Sequence, residues 1–303
     1  MQLVVQPSAG LEPVLAGLER AKASIDIVIF RLDIKEVANA LEAAVKRGVA
    51  VRALIAHAHN GPEKALRKLE LRLLAAGVTV SRSADDLVRY HGKMVIVDGT
   101  KLYVNGFNFT WLDIKQSRSF GVITTTSRIV KEASKLFQAD CDRQPYAAAN
   151  DRFVVSPVNA RERLTQFIEG AKRQILIYDP NVNDRRLLRV LAAREAAGVD
   201  VRIIGKVSAR AGLTAAKCPI RRLHVRALIR DGKQAFVGSQ SLRARELDQR
   251  REIGIIINEP RVVKGLLSVF EKDWAEATAD KKAPPPETDE AGAGERNPVA
   301  AAV

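Results

Sequence analysis

Four histidines occur in the chain, and two of them, His91 and His224, each stand two residues before a cation, Lys93 and Arg226. Residues two apart on a strand point to one face, so each ring would lie beside its charge. A group that titrates near neutrality next to a fixed positive charge suits attack on phosphorus and protonation of a leaving oxygen. Each pair opens an apolar run that ends on an aspartate, Asp98 or Asp231. The other two histidines, His57 and His59, follow a predicted strand near the sheet edge where ligands gather in α/β folds. With no third ligand nearby they read as loop histidines rather than a metal site.

These pairs sit in a duplicated framework. Ala21 to Ile29 resembles Ala171 to Ile177, and Gly48-Val49-Ala50-Val51-Arg52 resembles Gly198-Val199-Asp200-Val201-Arg202, both at an offset of 150. Helical periodicity fills the intervals, roughly Lys35 to Arg47 and Asn183 to Ala197, giving strand, helix, strand in each half. Further on the offset falls to 133, pairing His91 with His224, Asp98 with Asp231, Arg118 to Gly121 with Arg251 to Gly254, and Phe137 with Phe270. The lost residues are largely a helix, about Pro62 to Ala75, that the second half shortens. Both histidines are followed by a strand, an Asp-Gly or Gly-Thr turn and a second strand, a hairpin pattern. Helices near Arg128 to Ala139 and Pro260 to Ala277 close the halves.

The resulting expectation is an α/β chain of two similar halves, each a mixed sheet flanked by helices, packed about a pseudo-twofold axis. The boundaries are 1–142 and 152–280, with a linker at 143–151 and a disordered tail at 281–303.

The chain of 303 residues carries a net charge of +14. From Ala283 onward four acids face one arginine, so the part before it carries about +17 and points to a polyanionic partner. Nucleic acid and an anionic membrane surface both fit. Cys141 and Cys218 lie far apart without a C-x-x-C partner, which argues against a disulfide framework or a cysteine zinc site and fits a reducing, cytoplasmic setting. No secretory signal is visible and no apolar run approaches the about eighteen residues of a membrane span, so membrane contact is expected to be peripheral.

His-x-Lys-x4-Asp in duplicate, followed by Gly/Ser/Asn turns and Arg-Glu-Ile-Gly at Arg251 to Gly254, resembles the phospholipase D superfamily. The resemblance runs from about Ser24 to Trp274 and includes the closing Phe137/Asp140 and Phe270/Asp273/Trp274. It implies that one histidine attacks phosphorus to form a phosphohistidine while the other protonates the leaving oxygen. It further implies that Lys93, Arg226 and Asn108 bind the non-bridging oxygens, that Asp98 and Asp231 hold structure, and that Glu252 orients a histidine, taken as His224. No metal or other cofactor is implied.

The motif also departs from the family. Arg226 replaces the second lysine; the serine of the first Gly-Ser-x-Asn turn is lost at Gly106 to Asn108; the second turn keeps Ser239 but has Ser241 for asparagine; and Ser119 stands where the counterpart of Glu252 belongs, leaving His91 without a carboxylate. The family habit and the Lys93/Asn108 set favour His91 as nucleophile, whereas the Glu252 pairing favours His224 as the stronger base. Two further features have plain readings. Trp111 is expected to be partly buried beside a site strand. Arg243, Arg245, Arg250 and Arg251, alternating with acids, read as a solvated face, or else as a rim that steers substrate.

What the resemblance implies overall is a phosphodiesterase or phosphatidyltransferase acting on glycerophospholipid head groups, working as a monomer with both motifs in one chain. The competing expectations are a metal-independent nuclease of the same superfamily and a catalytically impaired polyanion-binding module.

Overall fold

The computed structural model describes residues 1–57, 63–208, 211–220 and 222–279. His59 and the expected tail from 281 lie outside the described residues. The first half runs β1 (Gln2–Gln6), α1 (Glu12–Glu19), β2 (Ser24–Ile29), α2 (Lys35–Lys46), β3 (Ala50–Ile55), α3 (Glu63–Ala75), β4 (Thr79–Arg82), β5 (Arg89–Tyr90), β6 (Met94–Val97), β7 (Lys101–Asn105), α4 (Trp111–Gln116), β8 (Ser117–Thr124) and α5 (Ser127–Cys141). The second runs β9 (Phe153–Val155), α6 (Ala160–Glu169), β10 (Gln174–Val182), α7 (Arg185–Ala196), β11 (Asp200–Val207), β12 (Ala215–Ala216), β13 (Arg222–Leu223), β14 (Arg226–Arg230), β15 (Gln234–Gly238), α8 (Ala244–Asp248), β16 (Arg250–Arg251), β17 (Ile253–Ile257) and α9 (Pro260–Ala279).

Both sheets have one topology. Strand order is β1-β8-β7-β6-β2-β3-β4 in the first and β9-β17-β15-β14-β10-β11-β12 in the second. The pairs β2·β3 and β10·β11 are parallel, joined across α2 and α7, while β6·β7 and β14·β15 are antiparallel hairpins. The sheets are therefore mixed, as the repeat predicts. β12 takes the place of β4, and among the described residues no helix between β11 and β12 answers α3. Four elements that the repeat reading did not resolve, β1, α1, β9 and α6, also recur at the 150 offset.

Alternation along the strands sorts side chains between layers. In β2, Ile25, Ile27 and Ile29 face α1, α2 and α3, packing on Leu18, Leu41 and Leu73. Val28 faces the other way, into a core that also takes Met94 and Ile96 from β6. The second half does the same with Leu164, Leu187 and Leu191 against Ile175 and Ile177. The central core draws on both halves, with Phe120, Phe137, Tyr178 and Phe270 buried together, so the sheets face one another across one shared apolar layer.

Polar staples cross that layer. Asp273 accepts two hydrogen bonds from Arg118, at 2.7 and 2.8 Å, and one from the Tyr178 hydroxyl at 2.7 Å. Asp140 accepts from Arg251 at 3.0 Å and from the Tyr90 hydroxyl at 2.7 Å. Each aspartate thus takes an arginine from the opposite half and a tyrosine from its own. Arg250 and Arg251, expected on a solvated face, instead lie in the seam, each with a side chain only 12% exposed. The β5·β16 pairing carries them inward, and buried carboxylates compensate their charge.

Candidate active site

Lys93, immediately before β6, and Arg226, the first residue of β14, flank the two histidines from opposite halves. Each strand is anchored at its far end by its aspartate. Asp98 and Asp231 have φ of 52° and 55°, and each is followed by a glycine also at positive φ, the backbone a tight hairpin loop requires. The Asp98 carboxylate accepts from the amides of Lys22, Ala23 and Ser24, and Asp231 accepts from Lys172, Arg173 and Gln174. These bonds tie the hairpin loop to the start of the neighbouring strand, and they place both aspartates away from the histidines.

His91 and His224 are 6% and 8% exposed, Lys93 1% and Arg226 8%. Burial, reinforced by Lys93 and Arg226 among the surrounding cations, pushes the His91 pKa well below its usual value. The same causes, burial first and then Arg226 and Lys93, depress His224. Both rings therefore favour the neutral form at pH 7. Burial also lowers Lys93, to about 7.

The carboxylates are distributed differently from the sequence expectation. Glu252, fully buried, lies with Oε2 2.8 Å from Nδ1 of His91, not of His224. The reason is the seam: β16 runs beside β5, and the His91 amide donates to the Arg251 carbonyl at 2.7 Å, so the residue after Arg251 meets the first-half histidine. Ser119 occupies the equivalent place by His224 and donates its hydroxyl to the His224 carbonyl at 3.2 Å. A second carboxylate, missed by the sequence reading, takes over there. Asp113 of α4 places Oδ2 3.3 Å from His224 Nδ1, close but off-line for a hydrogen bond. Thr110 caps α4 by accepting the Asp113 amide, which fixes where that carboxylate begins. A signal for it was present: the 133 offset pairs Asp113 with Glu246, each five residues past Asn108 or Ser241.

The turn residues are occupied by these acids. The Asn108 amide nitrogen donates to Asp113 at 2.7 Å, as does its backbone N–H. The Ser241 backbone donates to Glu246 at 2.9 Å, and its hydroxyl donates to Asp179. Ser239 is buried against the Ile253 backbone, accepting its N–H at 3.1 Å. The free donors lie on the cations. Among the described residues Nε and Nη1 of buried Arg226 have no hydrogen-bond partner, and Lys93 Nζ donates to the His91 carbonyl at 2.6 Å with hydrogens to spare. Buried, unpaired donors of this kind call for an anion.

Of the remaining sequence candidates, the His57 amide donates to the Ser83 hydroxyl at 2.9 Å. Trp111, expected to be partly buried, is 55% exposed at the start of α4, next to exposed Leu112. Its amide donates to Asp33 at 2.8 Å, which turns the indole outward. Among the described residues no helix is long and apolar enough to cross a membrane.

Two facing copies of a mixed sheet, with a buried histidine and cation from each meeting between them, define a phosphate-handling α/β duplication. The sequence family described as cardiolipin synthase, PLD-like domain, matches residues 14–141 and again 164–274. The chain belongs to this PLD-like family, within the phospholipase D superfamily of phosphodiesterases and phosphotransferases. It is 24% identical to the polyphosphate kinase of Salmonella typhimurium (strain LT2) over 312 residues, 89% of this chain and 44% of that protein. The chain therefore spans less than half the length of that relative. Its fold is similar to polyphosphate kinase from Porphyromonas gingivalis, with a TM-score of 0.75 and 19% identity over 89% of this chain and 46% of that one. It is also similar to phosphatidylserine synthase from Haemophilus influenzae Rd KW20, with a TM-score of 0.69 and 11% identity over 91% and 86%.

Proposed function

We propose that the chain opens phosphate diesters through a covalent phosphohistidine on His91, with glycerophospholipid head groups as the substrate class. The observation that carries this reading is the Glu252 contact at 2.8 Å: accepting the Nδ1 proton of His91 leaves the lone pair on Nε2 for attack. Lys93 and the unpaired nitrogens of Arg226 hold the non-bridging oxygens as charge builds on them.

Two steps follow. In the first, His91 Nε2 forms a bond to phosphorus, the bond to the leaving oxygen breaks, and His224 gives that oxygen its proton. In the second, His224 takes a proton from water or an alcohol, the new oxygen attacks phosphorus, and the His91 bond breaks. His224 must be protonated for the first step, although burial favours its neutral form. The arriving phosphate supplies the negative charge that restores the proton, so acid and substrate assemble together. Exposed Trp111 and Leu112, on the helix that carries Asp113, favour a lipid surface as the source of the diester.

The test is metal-free activity on mixed phospholipid vesicles, on single-stranded and plasmid DNA, and on polyphosphate with a nucleoside diphosphate, each repeated with His91→Ala and His224→Ala. Head-group release that needs both histidines, with an acid-labile phosphate adduct trapped on the native protein by alkaline quench and absent from His91→Ala, supports the reading. DNA cleavage or nucleotide phosphorylation with the same dependence transfers the mechanism to that substrate and overturns the lipid assignment.

A further inference from the structure

The duplication makes each half a control for the other. Beside His91, β5 and β16 run parallel with Arg89 and Arg250 as register partners. Beside His224, the corresponding pairing of β13 with β8 sets Arg222 against Ser117. Arg222 is neutralised there by an ion pair with Asp113 and bonds the Ser117 hydroxyl at 3.2 Å. The His91 side holds one more arginine, and its compensation is uneven. Arg250 is compensated by Glu246 at 3.1 Å and Glu252 at 3.8 Å, but among the described residues neither Arg89 nor Arg31 makes an ion pair.

Phe30, at the end of β2, gathers these charges. Its ring centroid lies 5.4 Å from the Arg31 guanidinium, 5.6 Å from that of Arg89 and 5.2 Å from Lys93 Nζ. The same ring meets His91 edge-on at 4.6 Å. The attraction of a ring face for each cation is weak, too little to offset several like charges gathered around it. The crowding is visible on Arg89, whose pKa is lowered by burial and then by Arg250, Arg31 and Arg245. An ordinary solubilising patch spreads its charges into water. Here the Arg250 side chain is 12% exposed and Arg89 is half-buried in the seam, with Arg31 exposed at its edge.

We propose that Arg31, Arg89 and Arg250 form a second anion subsite beside His91, holding a phosphate linked to the one under attack, so that the substrate carries two phosphates on a short connection. The inference rests on the preceding reading only in placing the first phosphate between the histidines. It assigns polarity to the site: the second phosphate lies on the His91 side, because Asp113 already neutralises the equivalent cation on the His224 side.

Binding to the full chain tests this by calorimetry, with two pairs of probes. One pair is inorganic phosphate and tripolyphosphate, whose phosphates are joined directly. The other is glycerophosphoglycerol and bis(glycerophospho)glycerol, the water-soluble head group of a lipid with two spaced phosphates. In at least one pair, the ligand with more phosphates should bind tenfold or more tightly than its single-phosphate partner. The double variant Arg31→Gln/Arg89→Gln should erase that advantage while leaving the single-phosphate ligand within about twofold of its original affinity. The charge-conserving Arg31→Lys/Arg89→Lys variant should keep most of it, which separates lost charge from lost fold. An advantage that survives in the glutamine variant, or no advantage in either pair, overturns the subsite. Because the readout is binding, the advantage should persist in His91→Asn, so failure of the catalytic reading and failure of the subsite are distinguishable.

Discussion

Lys93 gives the sharpest quantitative expectation. It is 1% exposed, its ammonium donates to the His91 carbonyl at 2.6 Å, and burial pushes its pKa down to about 7. At pH 8 a group of that pKa is charged in roughly one molecule in ten. An anion seated on Nζ restores the charge, so binding should take up about 0.9 of a proton at pH 8, and the affinity should fall about eightfold per pH unit between pH 7.5 and 9. The sign follows from the charge state: the anion favours the protonated amine, so binding is tighter on the acid side. Sulfate is the suitable probe, because it does not titrate in this range. Titration calorimetry at pH 8 in two buffers of different ionisation heat measures the uptake directly, and any uptake by His224 adds to it. Lys93→Arg, which stays charged throughout, should lose at least half the pH slope while still binding sulfate. No buffer dependence in the native protein, or an undiminished slope in Lys93→Arg, would refute the assignment of a neutral buried lysine to the anion site.

Three further outcomes are expected. Glu252→Gln should lower kcat a hundredfold or more with little change in thermal unfolding, because the ring of His91 loses the acceptor that sets its tautomer. Steady-state kinetics beside a melting curve check this. Asp273→Ala should destabilise the chain by about 3–5 kcal/mol in urea, since it strands buried Arg118 without its partner, and the additional change Arg118→Met should recover part of the loss. Asp98→Ala should cost about 1–2 kcal/mol by removing three backbone acceptor contacts, with kcat kept at temperatures where the protein is folded. The Asp98 pKa is lowered, so in the native protein this contribution is present above the unfolded carboxylate value and is lost as the pH falls below about 4, which acid titration of stability would show.

Much of this architecture was legible because duplication writes each element twice. The offset of 133 that aligned His91 with His224 also aligned Asp98 with Asp231, and these share one backbone conformation and one set of amide contacts. The mixed sheets and the closing helices followed from strand and helix periodicity inside each copy, whereas the strand order did not. What the spacing could not give was which half completes which site. Glu252 is closer in sequence to His224 than to His91, yet β16 crosses to β5 and delivers it to the other histidine. Side-chain partnership across a seam is a property of docking, and no local pattern encodes it. Asp113 escaped for a related reason: in sequence it looks like an ordinary first-turn helix acid, and its role depends on Arg222 and His224 arriving from the far half. Arg250 and Arg251 read as surface charge because alternation with acids looks the same whether the partners are solvent or buried carboxylates.

A site assembled from two copies on one polypeptide escapes a constraint that binds a dimer of identical subunits, where every substitution appears twice and both sides must change together. Here Glu252 stands in one copy and Ser119 in the other, and Arg250 in one answers Ser117 in the other. On one chain the two surfaces can differ independently, and here one histidine meets the Glu252 carboxylate while the other meets the Ser119 hydroxyl. The broken symmetry of the seam is thus a record of specialisation, and it supplies a direction in which a substrate can lie that two equal halves would lack.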